Sequence, residues 1–214
     1  MGKKVGILGS GAVAKALAAG FKKYGYEVMV GSRDAKKQEI ISQTIGVQTG
    51  TFEQAAAFGD LAVLAVKGHA AKQVMELAGP GNLRGKTVLD TTNPIAEGKI
   101  INGVLHYFTG PNESLMEDLQ KTFVDVNFVK CFNSVGNAMM VNPDFGDEKP
   151  TMFICGNSEA AKAETKTILD LFGYETEDCG AVEAARAIEP LCMLWCIRGF
   201  KENKWSQAFR YLKK

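Results

Sequence analysis

Six residues near the start of the chain, Gly9-Ser10-Gly11-Ala12-Val13-Ala14, have the form G-x-G-x-x-A. The short apolar run Val5-Gly6-Ile7-Leu8 precedes them, and apolar residues at helical spacing, Val13, Leu17, Phe21 and Tyr24, follow. A glycine turn between a buried strand and a helix can bind a dinucleotide pyrophosphate. Gly9 permits the tight turn. Gly11 lacks a Cβ and lets phosphate oxygens approach the backbone. Ala14 allows close packing of helix on strand. The helix N-terminus supplies free N–H groups and the positive end of a dipole.

The second test of such a site falls about 20 residues further on, at the end of the next strand. The sequence there reads Val30-Gly31-Ser32-Arg33-Asp34. A carboxylate at the strand end would accept hydrogen bonds from both ribose hydroxyls, as NAD requires. Here the strand end carries Ser32 and Arg33 instead. A hydroxyl and a guanidinium suit a 2′-phosphate, so NADP is the expected cofactor. Asp34 reads as the N-cap of the following helix.

Ligands in an open parallel sheet sit at the carboxyl ends of the strands, so the next loops are candidates. They are Val66-Lys67-Gly68-His69, Thr91-Thr92-Asn93-Pro94 and Asn133-Ser134-Val135-Gly136. Asn93 and Asn133 offer amide donors and acceptors. His69 has two readings, a group that orients or protonates a substrate and a simple helix cap. His106 is the only other histidine. No spacing of His, Cys and carboxylates suggests a metal site, and no Ser-His-Asp arrangement or G-x-S-x-G is legible. The chemistry must then be the cofactor's own.

The elements that position these residues alternate between strand and helix. Strands are expected at Val5–Gly9, Glu27–Val30, Val47–Thr51, Leu61–Val66, Thr87–Asp90 and Phe128–Phe132. Helices are expected between them, with a capping box at Ser114-Leu115-Met116-Glu117 and a loop from Ile95 to Asn112. Two later strands, Met152–Cys155 and Tyr174–Cys179, flank a helix over Glu159–Phe172. A long helix over Val182–Phe200 and a short one over Trp205–Leu212 close the chain. The pattern predicts an α/β fold, a doubly wound and mostly parallel sheet with a small C-terminal α/β and helical extension. We expect a single domain, with residues 1–136 as the core and 137–214 as an extension that forms an acceptor pocket or a dimer contact.

The charge balance of 25 Lys plus Arg against 24 Asp plus Glu excludes a general nucleic-acid binder. Lys and Gly interrupt every apolar run before membrane-spanning length, and no signal-peptide pattern opens the chain. Five cysteines without a C-x-x-C pair fit a reduced, cytoplasmic protein. The apolar C-terminal helix, with Ile188, Leu191, Cys192, Leu194, Trp195 and Ile197, suits core packing and also a homodimer contact.

The glycine turn together with Gly31-Ser32-Arg33, Asn93-Pro94, Cys131-Phe132-Asn133-Ser134 and Glu189-Pro190-Leu191 resembles the coenzyme F420-dependent NADP oxidoreductase family. The resemblance runs over nearly the whole chain and implies a Rossmann domain holding NADPH. Family members move hydride between NADP and a deazaflavin, and a homologous domain of membrane metalloreductases passes electrons from NADPH to flavin. By motif, the resemblance places Ser10, Gly11, Ala12 and Val13 on the pyrophosphate and Ser32 and Arg33 on the 2′-phosphate. Val66 and His69 would lie beside the rings, with Asn93, Pro94 and Ser134 near the nicotinamide. His69 and Ser134 are thus the candidate catalytic residues. The expected activity is hydride transfer between NADPH and a small-molecule acceptor, deazaflavin or flavin. The alternatives are reduction of a small carbonyl or imine and a non-catalytic NADP-binding redox sensor.

Overall fold

The computed structural model describes residues 3–98 and 100–214. Six short strands form one sheet: β1 (Lys4–Leu8), β2 (Glu27–Gly31), β3 (Gln48–Gly50), β4 (Leu61–Leu64), β5 (Thr87–Asp90) and β6 (Asn127–Lys130). Their order is β3-β2-β1-β4-β5-β6, and every pairing is parallel. The order reverses between β1 and β4, where Ile7 pairs with both Val30 and Val63. That switch point opens a crevice at the carboxyl ends of the strands. The fold is the expected Rossmann-like α/β sheet.

Because successive side chains on a strand point to opposite faces, each strand feeds two cores. Val5, Ile7, Val30, Val63, Leu89 and Val129 face one core, and Leu8, Leu64, Val88 and Phe128 the other. The first face is covered by α1 (Ala12–Lys23), α2 (Ala35–Ile45) and α7 (Glu159–Leu171), through Leu17, Phe21, Ile41, Ile168 and Leu169. On the second face lie α3 (Phe52–Phe58), α4 (Ala71–Ala78) and α6 (Leu115–Thr122). A single turn, α5 (Pro80–Leu83), leads into β5. The cover over β1 is very close: a Cβ on Gly6 would sit 2.0 Å from the carbonyl oxygen of Ala55. Only glycine lets α3 approach β1 this far.

Local chemistry sets several helix starts. Asp34 caps α2 by accepting from the Lys37 N–H, and Thr51 with Gln54 forms a reciprocal capping box on α3. The box expected at Ser114 is only half formed. Ser114 accepts from the Glu117 N–H, but the buried Glu117 carboxylate takes the Ser114 hydroxyl and the guanidinium of Arg186, the latter at 2.6 and 2.9 Å, in place of the Ser114 backbone N–H. The free N–H groups of Leu115 and Met116 are capped instead by the distant carboxylate of Glu189.

The extension begins with a second, two-stranded parallel sheet, β7 (Thr151–Ile154) and β8 (Glu175–Asp178), on either side of α7. One antiparallel bridge, Lys130 to Cys155, ties it to β6. The long helix α8 (Ala185–Glu202) follows. The expected helix over Trp205–Leu212 does not form, and residues 203–214 run as irregular chain. Their backbone finds partners elsewhere. The indole of Trp195 donates to Gln207 O, the Gln207 amide donates to Trp195 O, and Phe209 O accepts from the Thr151 N–H. The ring of Trp205 fills the space beside Gly199. These bonds to α8 and β7 pair some of the groups that a terminal helix would have paired within itself. The loop expected over Ile95–Asn112, of which Lys99 lies outside the described residues, folds back on itself. Antiparallel bridges join Ile95 to Tyr107 and Ile101 to Val104. Among the described residues no helix is long and apolar enough to cross a membrane.

Two outcomes test this packing. Gly6→Ala should destabilise the fold by ~3 kcal/mol, read from the urea midpoint, because rigid backbone must yield. The Arg186 hydrogen bond holds the Glu117 carboxyl below its ordinary value. A carboxylate whose pKa falls on folding adds stability above its unfolded pKa, and loses it as pH drops through the folded value. Glu117→Gln should therefore cost about 1 kcal/mol at pH 7, Arg186 being part exposed. The urea midpoints of the two proteins should converge in acid.

Candidate dinucleotide site and adjoining cavity

A cavity of about 540 Å³ opens above the carboxyl ends of β1, β2 and β4. Gly9, Ser10, Gly11, Ala12 and Val13 line it on one side, and Ser32, Arg33, Asp34 and Lys37 on another. The turn is shaped as the sequence predicts. Gly9 has φ +139°, and a Cβ there would lie 2.1 Å from the carbonyl oxygen of Ala65. At Gly11 the space a Cβ would take is open, with nothing within 4 Å. Gly11 is also the N-cap of α1, and no side chain caps the first turn. Its N–H groups are free for an anion, and no acidic residue in that turn opposes one. These features fit a pyrophosphate.

The strand-end pair, Ser32 and Arg33, lies together on the first cavity. Ser32 is buried, accepts from the Asp34 N–H at 3.1 Å and donates to Ser10 Oγ at 3.0 Å. That fixes its hydroxyl at the cavity wall. Arg33 is exposed at the rim, and Asp34 is engaged by Lys37 as the helix cap. Asp34 also lines the cavity, with its carboxylate turned to the start of its own helix.

A second cavity of about 450 Å³ adjoins the first. The two share Val66, Lys67, His69 and Thr91 as a common wall. The second also has Thr92 and Asn93 on its floor and Ile95, Ile100, Leu105 and His106 on its loop side. Both histidines of the chain thus line one cavity. The C-terminal extension contributes no lining residue. It backs the loop from behind, where Leu105, Ile95 and Tyr107 pack on Cys192, Trp195 and Cys196 of α8.

Of the residues selected from sequence, Gly9, Ser10, Gly11, Ala12, Val13, Ser32 and Arg33 come together in the first cavity. Val66 and His69 stand at the junction, and Asn93 lines the second cavity. Pro94 and Ser134 are buried and line neither cavity. Asn93 and Asn133 are held by each other. The Asn93 amide donates to Asn133 O at 2.8 Å, and its oxygen accepts from the Asn133 amide at 3.1 Å. Their role is to lock two strand-end loops together.

Sequence reasoning passed over the most heavily buried polar group near the site. Lys130 ends β6 with its side chain fully buried. Its ammonium lies 2.7 Å from Asp90, 2.8 Å from Glu189 and 2.8 Å from the carbonyl oxygen of Thr92. Burial alone would lower its pKa, but the two carboxylates outweigh that and hold it above the ordinary value. The signal was available: a lysine inside the apolar run Phe128–Phe132 demands buried carboxylates. Cys131 and Cys155 nearby are pushed up by burial, Cys155 to about 12, so neither is a ready thiolate.

Residues 4–94 match the family described as NADP oxidoreductase, coenzyme F420-dependent. A solved structure from Arthrobacter sp. FB24, provisionally named an F420-dependent NADP-reductase, is 28% identical. It superposes with a TM-score of 0.89 over 99% of both chains. The Metalloreductase STEAP3 of Rattus norvegicus is 28% identical over 88% of this chain, which spans 36% of that relative's length. An imine reductase from Aspergillus terreus shares the fold at 21% identity, with a TM-score of 0.67 over 91% of this chain and 60% of that one. The family match thus spans β1 to β5 and includes the glycine turn.

Proposed function

We propose that this chain is an NADP(H)-dependent oxidoreductase that transfers hydride between NADPH and a deazaflavin or flavin-type acceptor. The observation that carries the reading is the junction of the two cavities at Val66, Lys67, His69 and Thr91. A dinucleotide anchored on the glycine turn ends at that junction, and the second cavity offers a place for a ring beside it. When bound, NADPH supplies the hydride.

The chain's own residues bind, orient and exclude water. The N–H groups that open α1 take the pyrophosphate, with Ser10, Gly11, Ala12 and Val13 around it. Ser32 and Arg33 take the 2′-phosphate, Arg33 through its guanidinium and Ser32 by turning its hydroxyl from Ser10 to the phosphate. Val66 packs against the rings, with Asn93 on the nicotinamide side and Pro94 and Ser134 supporting the loops from behind. Ile95, Ile100 and Leu105 give the acceptor cavity an apolar wall that excludes water. Hydride passing to a flavin-type ring needs orientation more than a protein acid or base. The scarcity of histidines agrees with that.

A second reading is reduction of a small carbonyl or imine, which needs a proton donor. It is favoured by the place of His69 at the junction, exposed to both cavities. A third, redox sensing without turnover, would leave NADPH bound and unreacted. We also propose a cytoplasmic homodimer. Leu194 and Phe200 lie exposed on α8, and Ile101 and Val104 are exposed on the loop that abuts it. Sedimentation at micromolar concentration checks the dimer.

Three results decide among these readings. NADPH oxidation is measured in parallel with a deazaflavin, with FMN and with small carbonyls and imines, and deazaflavin or FMN should turn over fastest. Absence of turnover with every acceptor, together with tight NADPH binding, would favour the sensor. His69→Ala should leave flavin-type turnover within about threefold but lower carbonyl or imine reduction by about 100-fold. Arg33→Ala should raise the NADPH Kd by about 10- to 100-fold and leave NADH unchanged, since it loses charge-assisted hydrogen bonds. Undiminished NADPH binding would remove Arg33 from the site.

A further inference from the structure

Neither cavity is lined by Lys130, yet both walls of the acceptor cavity lead back to it. The first route runs along the loop after β5. The Lys130 ammonium holds the carbonyl oxygen of Thr92 at 2.8 Å. Its partner Asp90 holds the other end of the same residue, accepting from the Thr92 N–H at 2.9 Å and from its hydroxyl at 2.6 Å. Thr92 is gripped at three atoms. Of its neighbours, Thr91 lies in the wall shared by the two cavities and Asn93 lines the second.

The second route runs through α6. Glu189 sits 2.8 Å from Lys130 and accepts from the N–H groups of Leu115 and Met116. Leu115 in turn presses on Gly68. A Cβ on Gly68 would lie 3.0 Å from the Leu115 side chain and 2.1 Å from Asn93 O. The turn that carries His69 is therefore wedged between the two arms of one ion cluster.

A lysine flanked by two carboxylates is a poor stabiliser, because all three groups must leave water. Its geometric effect is distinct: it sets Thr91–Asn93 and Gly68–His69 against each other. The glycine turn, Ser32 and Arg33 have no bond to the cluster. We infer that Lys130, with Asp90 and Glu189, is a positioning residue for the hydride-transfer end of the site and not for the phosphate end. This rests on the oxidoreductase reading above.

The single change Lys130→Met would bury two unpaired carboxylates and can fail to fold. The test therefore uses a neutral triple variant, Asp90→Asn with Lys130→Met and Glu189→Gln, which removes all three charges together. Three quantities are read on wild type and variant: affinity for 2′,5′-ADP, fluorescence of the reduced nicotinamide of bound NADPH, and kcat with the best acceptor. The inference expects 2′,5′-ADP affinity to stay within twofold. It expects the nicotinamide fluorescence to shift toward that of free NADPH. It expects kcat to fall about 100-fold, the effect of roughly 1 Å of misplacement. Unchanged fluorescence and kcat would overturn it. So would a parallel loss of 2′,5′-ADP affinity, which marks a general structural role. A wild-type chain that binds no NADPH would instead overturn the oxidoreductase reading itself.

Discussion

The structure depends on one unfavourable placement, a lysine at the end of a fully buried strand. Lys130 can stay charged there only if carboxylates meet it, and Asp90 and Glu189 do so from two other elements. The cluster carries a formal excess of one negative charge. The N-terminus of α6 offsets that excess, since Leu115 and Met116 direct their free N–H groups at Glu189. An ion triad of this kind adds little net stability against an apolar alternative. It does specify geometry, because a slip of any member leaves a buried charge unpaired. The cluster ties together β5, β6, α6 and α8.

This constraint explains how a short extension serves a site it does not line. The extension meets the second cavity through α8, whose apolar side backs the Ile95–Tyr107 hairpin. The hairpin carries Ile95, Ile100, Leu105 and His106 to the cavity. Glu189 on the same helix reaches the strand ends. The cavity wall is thus built from the sheet and its loops, and the helix holds that wall in place. The irregular residues 203–214 then clamp α8 onto β7 through Trp195, Gln207 and Thr151.

The phosphate end of the site was legible in sequence because its chemistry is local. A glycine with φ +139°, an open Cβ position and an uncapped helix start all follow from residues 9–13. Ser32 and Arg33 follow from the end of the next strand. The acceptor end was much less legible. Its lining comes from three strand-end loops and a hairpin, and composition alone does not say which loop residues face inward. Pro94 and Ser134 were reasonable choices that the fold buries away from both cavities. Lys130 was overlooked because its surroundings read as a uniform apolar strand. The final helix was misjudged for a related reason, since helical spacing over Trp205–Leu212 competes with bonds to α8 and β7 that sequence does not display.

The sequence by itself determined the parallel sheet and the conformation of the glycine turn, and it carries the expectation of NADP. These rest on periodicity, on glycine's freedom and on the charge of a single strand end, all properties of neighbouring residues. Only the tertiary structure decided that Asp90, Lys130 and Glu189 meet, that α6 is capped from 74 residues away by Glu189, and that both histidines line one cavity. The physical reason is that buried charges select their partners by proximity in the folded core. Distance along the chain has no bearing on that choice.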